Sequence, residues 1–242
     1  ETDKKNILSV FHDKKVEVLP VINKYKIVTD VYYVNDFNKK IHDNKKNLKC
    51  ELVIMAGGFG KRLKPFTEVL PKPLIPIGNI PIVSLIINKF LNFGIKKIYL
   101  SLNYKSEIVK AYLRNSKVSK KIQFITENFP LGTCGSLSLL SKKIKNSLIV
   151  SNCDVILDID YEDCLSLHKK KKNDITIVAA VKNFTIPYGS CVINNRGHFK
   201  SLIEKPSSQH LISTGLYIVE PKILKIIPKK KKIDFDELIK IA

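Results

Sequence analysis

The pattern of hydrophobic and polar positions divides the chain into a short N-terminal part and a longer, more regular part. Beyond residue 50, short apolar runs alternate with segments in which apolar residues recur every three or four positions. The first pattern predicts buried strands and the second predicts amphipathic helices. Strands that alternate with helices in this way are typical of βαβ units and a mostly parallel sheet. The predicted fold class is α/β, a three-layer Rossmann-like sheet flanked by helices.

The same pattern places the individual elements. Strands are predicted at 52–56, 97–102, 122–126, 147–151, 175–181 and 212–219, with two short strands around the turn at 194–197. Helices are predicted at 81–93, 106–113 with Ser106 as its N-cap, 134–144, 160–170, 221–227 and 235–241. The change of pattern between 190 and 220 predicts an antiparallel or mixed insertion in the sheet.

Residues 1–38 are expected to form a separate unit, which residues 39–50 link to the rest. A helix at 5–12 is followed by predicted strands at 16–22 and 27–34, and Asp36 opens a further helix. This order resembles the latter part of a CBS motif, and a complete CBS module contains two such motifs. The alternative is a small β-hairpin packed on the main domain.

Composition and charge narrow the classes of function. The formal net charge is +20, but 39 of the 42 basic residues are Lys. Arg predominates in base recognition and in bidentate phosphate binding. The Lys residues are also spread along the chain, and the runs at 169–172 and 229–232 are interpreted as solvated helix ends or loops. Nucleic acid is therefore not an expected partner, although the charge leaves a polyanion-binding protein as an alternative.

The sequence also bears on location. The longest uncharged apolar run, 74–85, is too short to cross a bilayer, and no signal segment follows the N-terminal Glu1. We expect a segment of a longer protein with no membrane partner. Five cysteines without CxxC spacing argue against a disulfide framework and a zinc site. Unpaired thiols fit a reducing, cytoplasmic location.

The strongest indication of chemistry is the segment 55–82. Its glycine-rich loop, 57–60, leaves the carboxyl end of the first strand of the predicted sheet, where ligands bind in open α/β folds. Glycines let the backbone approach a phosphate and present its N–H groups. Arg62 and Lys72 follow at a spacing that lets both reach one triphosphate. No Gly-Lys-Ser/Thr closes the loop, so it is not a P-loop.

This segment resembles the signature of the sugar-1-phosphate nucleotidyltransferases, the nucleotide-diphosphate-sugar pyrophosphorylases. Later motifs agree with that family in order and spacing. They are a base-recognition loop at 127–135, a segment at 152–154 that resembles the family's Gly-Asp pair with Cys153 in place of the usual Gly, and sugar-binding segments at 188–189, 204–206 and 213–217. The resemblance covers about residues 51–242 and implies a nucleotide-diphospho-sugar transferase type of sheet.

The resemblance implies that an NTP and a sugar 1-phosphate react to an NDP-sugar and pyrophosphate, with Mg²⁺ as cofactor. Arg62, Lys72 and Asp154 are the implied catalytic residues, and Asp154 is the implied metal ligand. The implied nucleotide-binding residues are Ala56, Gly57, Gly58, Gly60, Arg62, Lys72, Glu127, Pro130, Gly132 and Thr133. The implied sugar-phosphate-binding residues are Gly189, Glu204, Lys205 and Thr214, of which Lys205 holds the incoming phosphate.

Glu127 bears on the choice of base. A carboxylate only accepts hydrogen bonds, and guanine offers two neighbouring donors, N1–H and N2–H. Uracil and thymine offer one N–H between two carbonyls, where Gln fits better. Glu127 therefore favours GTP. Together with the partial CBS motif, it makes the chain resemble CBS-domain-containing guanylyltransferases such as those that act on glucosamine 1-phosphate in legionaminic acid biosynthesis, and implies a role in bacterial surface-glycan or nonulosonic acid synthesis.

One feature of the family is missing from the sequence. A second metal-binding Asp lies in a Trp-x-Asp-x-Gly context in the family, and this sequence contains no Trp. Asp234 and Asp236 stand at the acidic start of the preceding helix, and we assign neither as a metal ligand. We expect the catalytic domain to continue beyond Ala242. The open alternatives are a non-catalytic nucleotide or sugar-nucleotide sensor on this fold, and a mannose- or glucose-1-phosphate nucleotidyltransferase that uses another base. The resemblance also allows a homo-oligomer.

Overall fold

The N-terminal part of the chain forms a helix and a two-stranded hairpin. The structure, a computed structural model, describes residues 4–14, 16, 18–33 and 48–242. Helix α1 (Lys4–Lys14) precedes strands β1 (Val18–Ile22) and β2 (Val28–Tyr33), which pair antiparallel. The predicted helix and strands of this part are confirmed with slightly different ends. The resemblance to a CBS motif stays a prediction, and Val34, Asp36 and residues 39–47 of the predicted linker lie outside the described residues.

The chain from residue 48 onward forms an α/β body. Its first residues, 48–50, were predicted as the end of a linker, but Leu48 and Cys50 are buried in the core, where the Leu48 N–H donates to Phe93 O at 3.0 Å. The strands are β3 (Glu51–Met55), β4 (Pro76–Ile77), β5 (Ile80–Pro81), β6 (Ile98–Leu102), β7 (Ile122–Thr126), β8 (Leu148–Asn152), β9 (Ile175–Thr185), β10 (Ser190–Ile193), β11 (Phe199–Ile203) and β12 (Ser207–Val219). The helices are α2 (Phe66–Val69), α3 (Ile82–Asn92), α4 (Ser106–Arg114), α5 (Tyr161–Lys171), α6 (Pro221–Ile226) and α7 (Phe235–Ile241). Single 3₁₀ turns span Lys61–Leu63, Lys72–Leu74 and Ser119–Lys121.

The central sheet has six strands in the order β7-β6-β3-β8-β12-β9. The first four are mutually parallel, whereas β12 runs antiparallel to both β8 and β9. Strands β10 and β11 form a separate antiparallel pair around the predicted turn at 194–197. The mostly parallel α/β sheet and its antiparallel insertion are thus confirmed. None of the helices in the described ranges is long and apolar enough to span a bilayer.

Side chains that alternate along the central strands pack into two separate hydrophobic cores, one on each face of the sheet. Leu52 and Ile54 of β3 pack into one core with α3, α4 and α5, whereas Val53 between them packs into the other with α6 and α7. This alternation follows from the two-residue period of a strand, and each face is apolar because helices cover both sides of the sheet. Because strands β7, β6, β3 and β8 are parallel, their carboxyl ends lie at the same edge of the sheet. The site described below lies at this edge.

Two local predictions were wrong. The predicted helix 134–144 is only a 3₁₀ segment, Gly135–Leu140. The Ser138 hydroxyl donates to Gly135 O, three residues earlier, and this local side-chain bond competes with the α-helical ladder. The Cys134 N–H, just before the segment, donates to Ile233 O. In α4, the N-cap residue is Lys105 in the left-handed region (φ +50°), and Ser106 is already helical.

Candidate active site

A cleft of about 720 Å³ opens where β3, β7 and β8 end at the carboxyl edge of the sheet. Met55 and Asn152 are the last residues of β3 and β8, and Glu127 directly follows β7. The cleft is lined by Met55, Gly57, Gly58, Phe59, Gly60, Lys61, Arg62, Leu63, Lys72, Glu127, Pro130, Gly132, Thr133, Asn152, Cys153, Asp154 and Lys232. The structure therefore brings together most of the expected nucleotide-binding and catalytic residues from three loops that lie far apart in the sequence.

The glycine-rich loop is held by contacts behind it. The Thr67 hydroxyl donates to Gly60 O at 3.1 Å, and the Tyr104 hydroxyl donates to Thr67 O at 3.2 Å. The Phe59 ring also packs against Tyr104, with ring centroids 5.2 Å apart. These bonds fix the backbone of the loop while Gly57, Gly58 and Gly60 face the cleft.

The charge of the cleft lining suits a polyanion. Among the described residues, four cationic side chains and two carboxylates line it. The cations are Lys61, Arg62, Lys72 and Lys232, and the carboxylates are Glu127 and Asp154. Of these six residues, sequence reasoning missed Lys61 and Lys232 as lining residues. Lys232 belongs to the Lys run 229–232 that was interpreted as solvated. Its place at the cleft follows from the pairing of the adjacent Ile233 with Leu131, which is distant in the sequence.

The acidic residue after β8 forms an ion pair inside the cleft. Lys72 Nζ lies 2.5 Å from Asp154 Oδ2, and the Asp154 side chain is 42% exposed. The two charges neutralise each other and remain open to solvent. The neighbouring Cys153 is buried, and burial raises the pKa of its thiol to about 12, so it stays protonated at neutral pH.

The Glu127 carboxylate is buried and hydrogen-bonded through both oxygens. The side chain is 6% exposed. Its Oε1 accepts from the Ser101 hydroxyl at 2.7 Å, and its Oε2 accepts from the Leu131 N–H at 3.0 Å. Glu127 thus ties the loop that follows it to the sheet. Each carboxylate oxygen has two lone pairs, so both oxygens can accept one further bond from a ligand.

The residues expected to bind the sugar phosphate do not line this cleft. Gly189 and Glu204 lie together beside the β10–β11 pair, where a Cβ on Gly189 would be 3.1 Å from Glu204 Oε2. The Thr214 hydroxyl donates to Val178 O at 2.7 Å within the β9–β12 ladder, and Lys205 has a positive φ of 45°. Ala56, expected among the nucleotide-binding residues, is buried beneath the cleft and donates its N–H to Ser101 O.

The side chains present fit a divalent cation only in part. Among the residues that the structure describes, no three His, Cys, Asp or Glu side chains are grouped as they are around a metal ion. Of the carboxylates that line the cleft among the described residues, Glu127 is buried, whereas Asp154, which follows β8, is exposed. Mg²⁺ is commonly held by one or two carboxylates and completed by phosphates and water. Asp154 therefore suits a metal that arrives with a phosphate ligand.

Comparisons with known proteins agree with this geometry. The Nucleotidyl transferase family profile matches residues 51–241. The chain is 34% identical to a mannose-1-phosphate guanyltransferase of Aspergillus fumigatus over 184 residues, 72% of this chain and 50% of that protein. It is 32% identical to a D-glycero-alpha-D-manno-heptose 1-phosphate guanylyltransferase of Campylobacter jejuni over 192 residues, 78% of this chain and 84% of that protein.

A solved structure shows the same fold. The crystal structure of HddC from Yersinia pseudotuberculosis complexed with GMP-PN superimposes with a TM-score of 0.59 at 31% identity, over 77% of this chain and 83% of that one. The chain belongs to the nucleotidyl transferase family. It spans about half the length of the fungal relatives that it matches.

Proposed function

We propose that this protein is a sugar-1-phosphate guanylyltransferase, which joins GTP to a sugar 1-phosphate and releases pyrophosphate. The observation that carries the proposal is that one cleft holds a glycine-rich loop, four cationic side chains and a buried carboxylate at its margin. The names of the Aspergillus and Campylobacter relatives, both guanylyltransferases of sugar 1-phosphates, support it.

The phosphate end of the cleft lies at the glycine-rich loop. The reaction forms a bond between the sugar-phosphate oxygen and the α-phosphorus of the nucleotide and breaks the bond to the departing pyrophosphate. Positioning and neutralising charge are the main tasks of the protein in such a reaction. We assign Arg62 to the leaving pyrophosphate and Lys72 to the phosphates near the α position, while the N–H groups of Gly57, Gly58 and Gly60 face the same anion.

Asp154 is assigned as the ligand of Mg²⁺. When bound, Mg²⁺ supplies positive charge to the reacting phosphate oxygens. Lys72 neutralises Asp154 in the free protein. A bound triphosphate offers Lys72 a competing partner, because both groups face the same cleft. Asp154 then becomes available to the cation, so the nucleotide and the metal support each other's binding.

The base is assigned to the side of the cleft that holds Glu127, Pro130, Gly132 and Thr133. The free lone pairs of the Glu127 carboxylate match the N1–H and N2–H donors of guanine. The bonds from Ser101 and Leu131 hold the carboxylate still. A preorganised acceptor of this kind favours GTP over UTP, since uracil presents a carbonyl where guanine presents its second donor.

The sugar phosphate is assigned to the side of the β10–β11 pair, where Gly189, Glu204 and Lys205 lie, with Thr214 in the adjoining strand β12. The sugars in the names of these two relatives share the manno configuration, which favours mannose 1-phosphate or a manno-heptose 1-phosphate. Glucosamine 1-phosphate is the substrate suggested by the CBS-like segment. The proposal assigns the product to bacterial surface-glycan or nonulosonic acid synthesis and the protein to the cytoplasm, where its free cysteines stay reduced.

The test is pyrophosphate release in the presence of Mg²⁺. GTP, UTP, CTP, dTTP and ATP are each offered with mannose, manno-heptose, glucosamine and glucose 1-phosphates. Turnover with GTP and one sugar phosphate is the expected result. The Arg62→Ala variant should lose at least 100-fold in rate, whereas Arg114→Ala, which removes an exposed arginine on α4, should retain it. GTP binding without turnover would favour the sensor, and the absence of nucleotide binding would contradict the proposal.

A further inference from the structure

Two segments about 100 residues apart are joined directly behind the cleft. The Ile233 N–H donates to Leu131 O at 3.0 Å, and the Cys134 N–H donates to Ile233 O at 3.3 Å. These two backbone bonds lay the segment 231–235 along the loop 131–135. The ring of Phe235 stacks on Tyr217 of β12, with centroids 3.7 Å apart and an interplanar angle of 7°. The segment 231–235 is thus anchored on the central sheet and supports the loop from behind.

The side chain of Asp234 is used in an unusual way. Asp234 is the N-cap residue of α7, and an N-cap Asp commonly accepts from the N–H groups of its own helix. Here its carboxylate makes no such bond. Its Oδ1 instead accepts from the Thr133 N–H at 2.7 Å, and the Thr133 hydroxyl accepts from the Phe235 N–H at 3.0 Å. The Asp234 carboxylate therefore caps the backbone of Thr133, the Thr133 hydroxyl caps the backbone of Phe235, and Asp234 serves the loop rather than its own helix.

Position 132, at the centre of the loop, has no space for a side chain next to the segment 231–235. Gly132 has a φ of +82°, and a Cβ there would lie 2.4 Å from Ile233 O and 2.8 Å from Asp234 Oδ1. Gly132 and Thr133 both line the cleft, so Asp234 holds a part of the backbone that borders the cleft. Lys232 reaches the cleft from the same supporting segment.

We propose that Asp234 is a positioning residue for nucleotide recognition, which holds the Gly132–Thr133 backbone against the base through the Thr133 N–H. This inference rests on the proposed function and deepens it. Asp234 acts through Thr133, which lines the cleft, and is not itself among the lining residues. The loss of Asp234 should therefore weaken base recognition and leave the chemical step intact.

The test compares two substitutions that differ in one property. Asp234→Asn keeps an oxygen that can accept from the Thr133 N–H, whereas Asp234→Ala removes it. We expect Asp234→Ala to raise the Kd for GTP, measured by calorimetry, about tenfold and to reduce the preference for GTP over UTP. We expect Asp234→Asn to stay within about threefold of the unaltered protein. Asp236→Ala is the matched control, because it removes a carboxylate from the first turn of the same helix.

Steady-state kinetics distinguishes a positioning role of Asp234 from a purely structural role and from a role as a metal ligand. Asp234→Ala should raise the KM for GTP and leave kcat and the KM for the sugar phosphate within about twofold. A lower melting temperature with unchanged GTP affinity and preference would overturn the inference, since it would show a structural role alone. Equal losses in Asp234→Ala and Asp234→Asn, with a changed Mg²⁺ dependence, would also overturn it by indicating a metal ligand.

The binding measurements keep the two proposals apart. If the unaltered protein binds GTP but turns over no sugar phosphate, the proposed activity fails while the comparison of the Asp234 variants still decides the inference. If the protein turns over GTP and the Asp234→Ala variant matches it in KM and base preference, the inference fails and the activity stands. The absence of nucleotide binding by the unaltered protein would overturn both.

Discussion

The substitution Glu127→Gln changes the charge and the hydrogen-bonding groups on the side of the cleft that we propose to bind the base, while keeping the size of the side chain. The carboxylate accepts from the Ser101 hydroxyl and from the Leu131 N–H. In the variant, the amide oxygen can still accept from the Leu131 N–H, and the Ser101 hydroxyl can rotate to accept from the amide NH₂. The fold should therefore tolerate the change.

The expected magnitudes follow from these two bonds. A hydrogen bond to a charged group contributes about 1.5–3 kcal/mol and a neutral one about 0.5–1.5 kcal/mol, so two weakened bonds lower the free energy of unfolding by about 2 kcal/mol. A well-placed pair of bonds to a base edge discriminates by about 1–3 kcal/mol. Since 1.4 kcal/mol corresponds to tenfold, kcat/KM for GTP should fall about 10- to 100-fold.

Initial rates of pyrophosphate release with GTP, ITP and UTP test this reasoning. ITP lacks the N2 amine, so the unaltered protein should prefer GTP to ITP, and Glu127→Gln should reduce this preference. UTP should be used no worse by the variant than by the unaltered protein, because Gln suits the single N–H of uracil. The control is Glu107→Gln, which removes an exposed carboxylate on α4. An unchanged preference for GTP in Glu127→Gln, accompanied only by a lower melting temperature, would refute the role in base recognition.

Three further predictions concern the cleft, the sheet and the thiols. Asp154→Asn should lower the rate of pyrophosphate release at least 100-fold with GTP affinity changed only a few-fold, and a normal rate would contradict its assignment. Gly215→Ala should lower the melting temperature by about 5–10 °C, because Gly215 has a φ of +82° and a Cβ there would lie 2.4 Å from Asn152 Nδ2. An unchanged melting temperature would count against this contact. The exposed Cys191 should react with a thiol reagent at pH 8 before the buried Cys50, which peptide mass spectrometry can check. Burial raises the pKa of Cys50, Cys134 and Cys153 from 9.0 to about 12. Each of these thiols therefore ionises first in the unfolded chain, and stability should fall from pH 9 to 12 by up to about 1.4 kcal/mol per pH unit for each thiol. Denaturant titrations that show no such fall would contradict this prediction.

Local pattern was sufficient for most of the sheet and its helices. Strand β7 and helix α7 lie where the periodicity placed them, because their apolar positions record which face is buried. The glycine-rich loop could also be placed at the carboxyl end of β3, since a strand followed by a loop fixes that position in an α/β sheet. The predicted helix at 134–144 is a 3₁₀ segment, in which the Ser138 hydroxyl donates to Gly135 O and competes with the α-helical ladder. The Cys134 N–H at its start donates to Ile233 O, a partner that no local pattern indicates.

The residues that line the cleft show which features of the site can be predicted from the sequence and which require the tertiary structure. The fold class, the family resemblance and the types of charged residue could be predicted from the amino-acid order, because they depend on neighbouring positions. The pairing of Lys72 with Asp154, 82 positions away, and of Thr133 with Asp234, 101 positions away, became apparent in the folded chain. The separation of Gly189 and Glu204 from the cleft became apparent there as well. The physical reason is that a hydrophobic pattern specifies which face of an element is buried, whereas the order of strands in the sheet and the path of the loops specify which side chains meet.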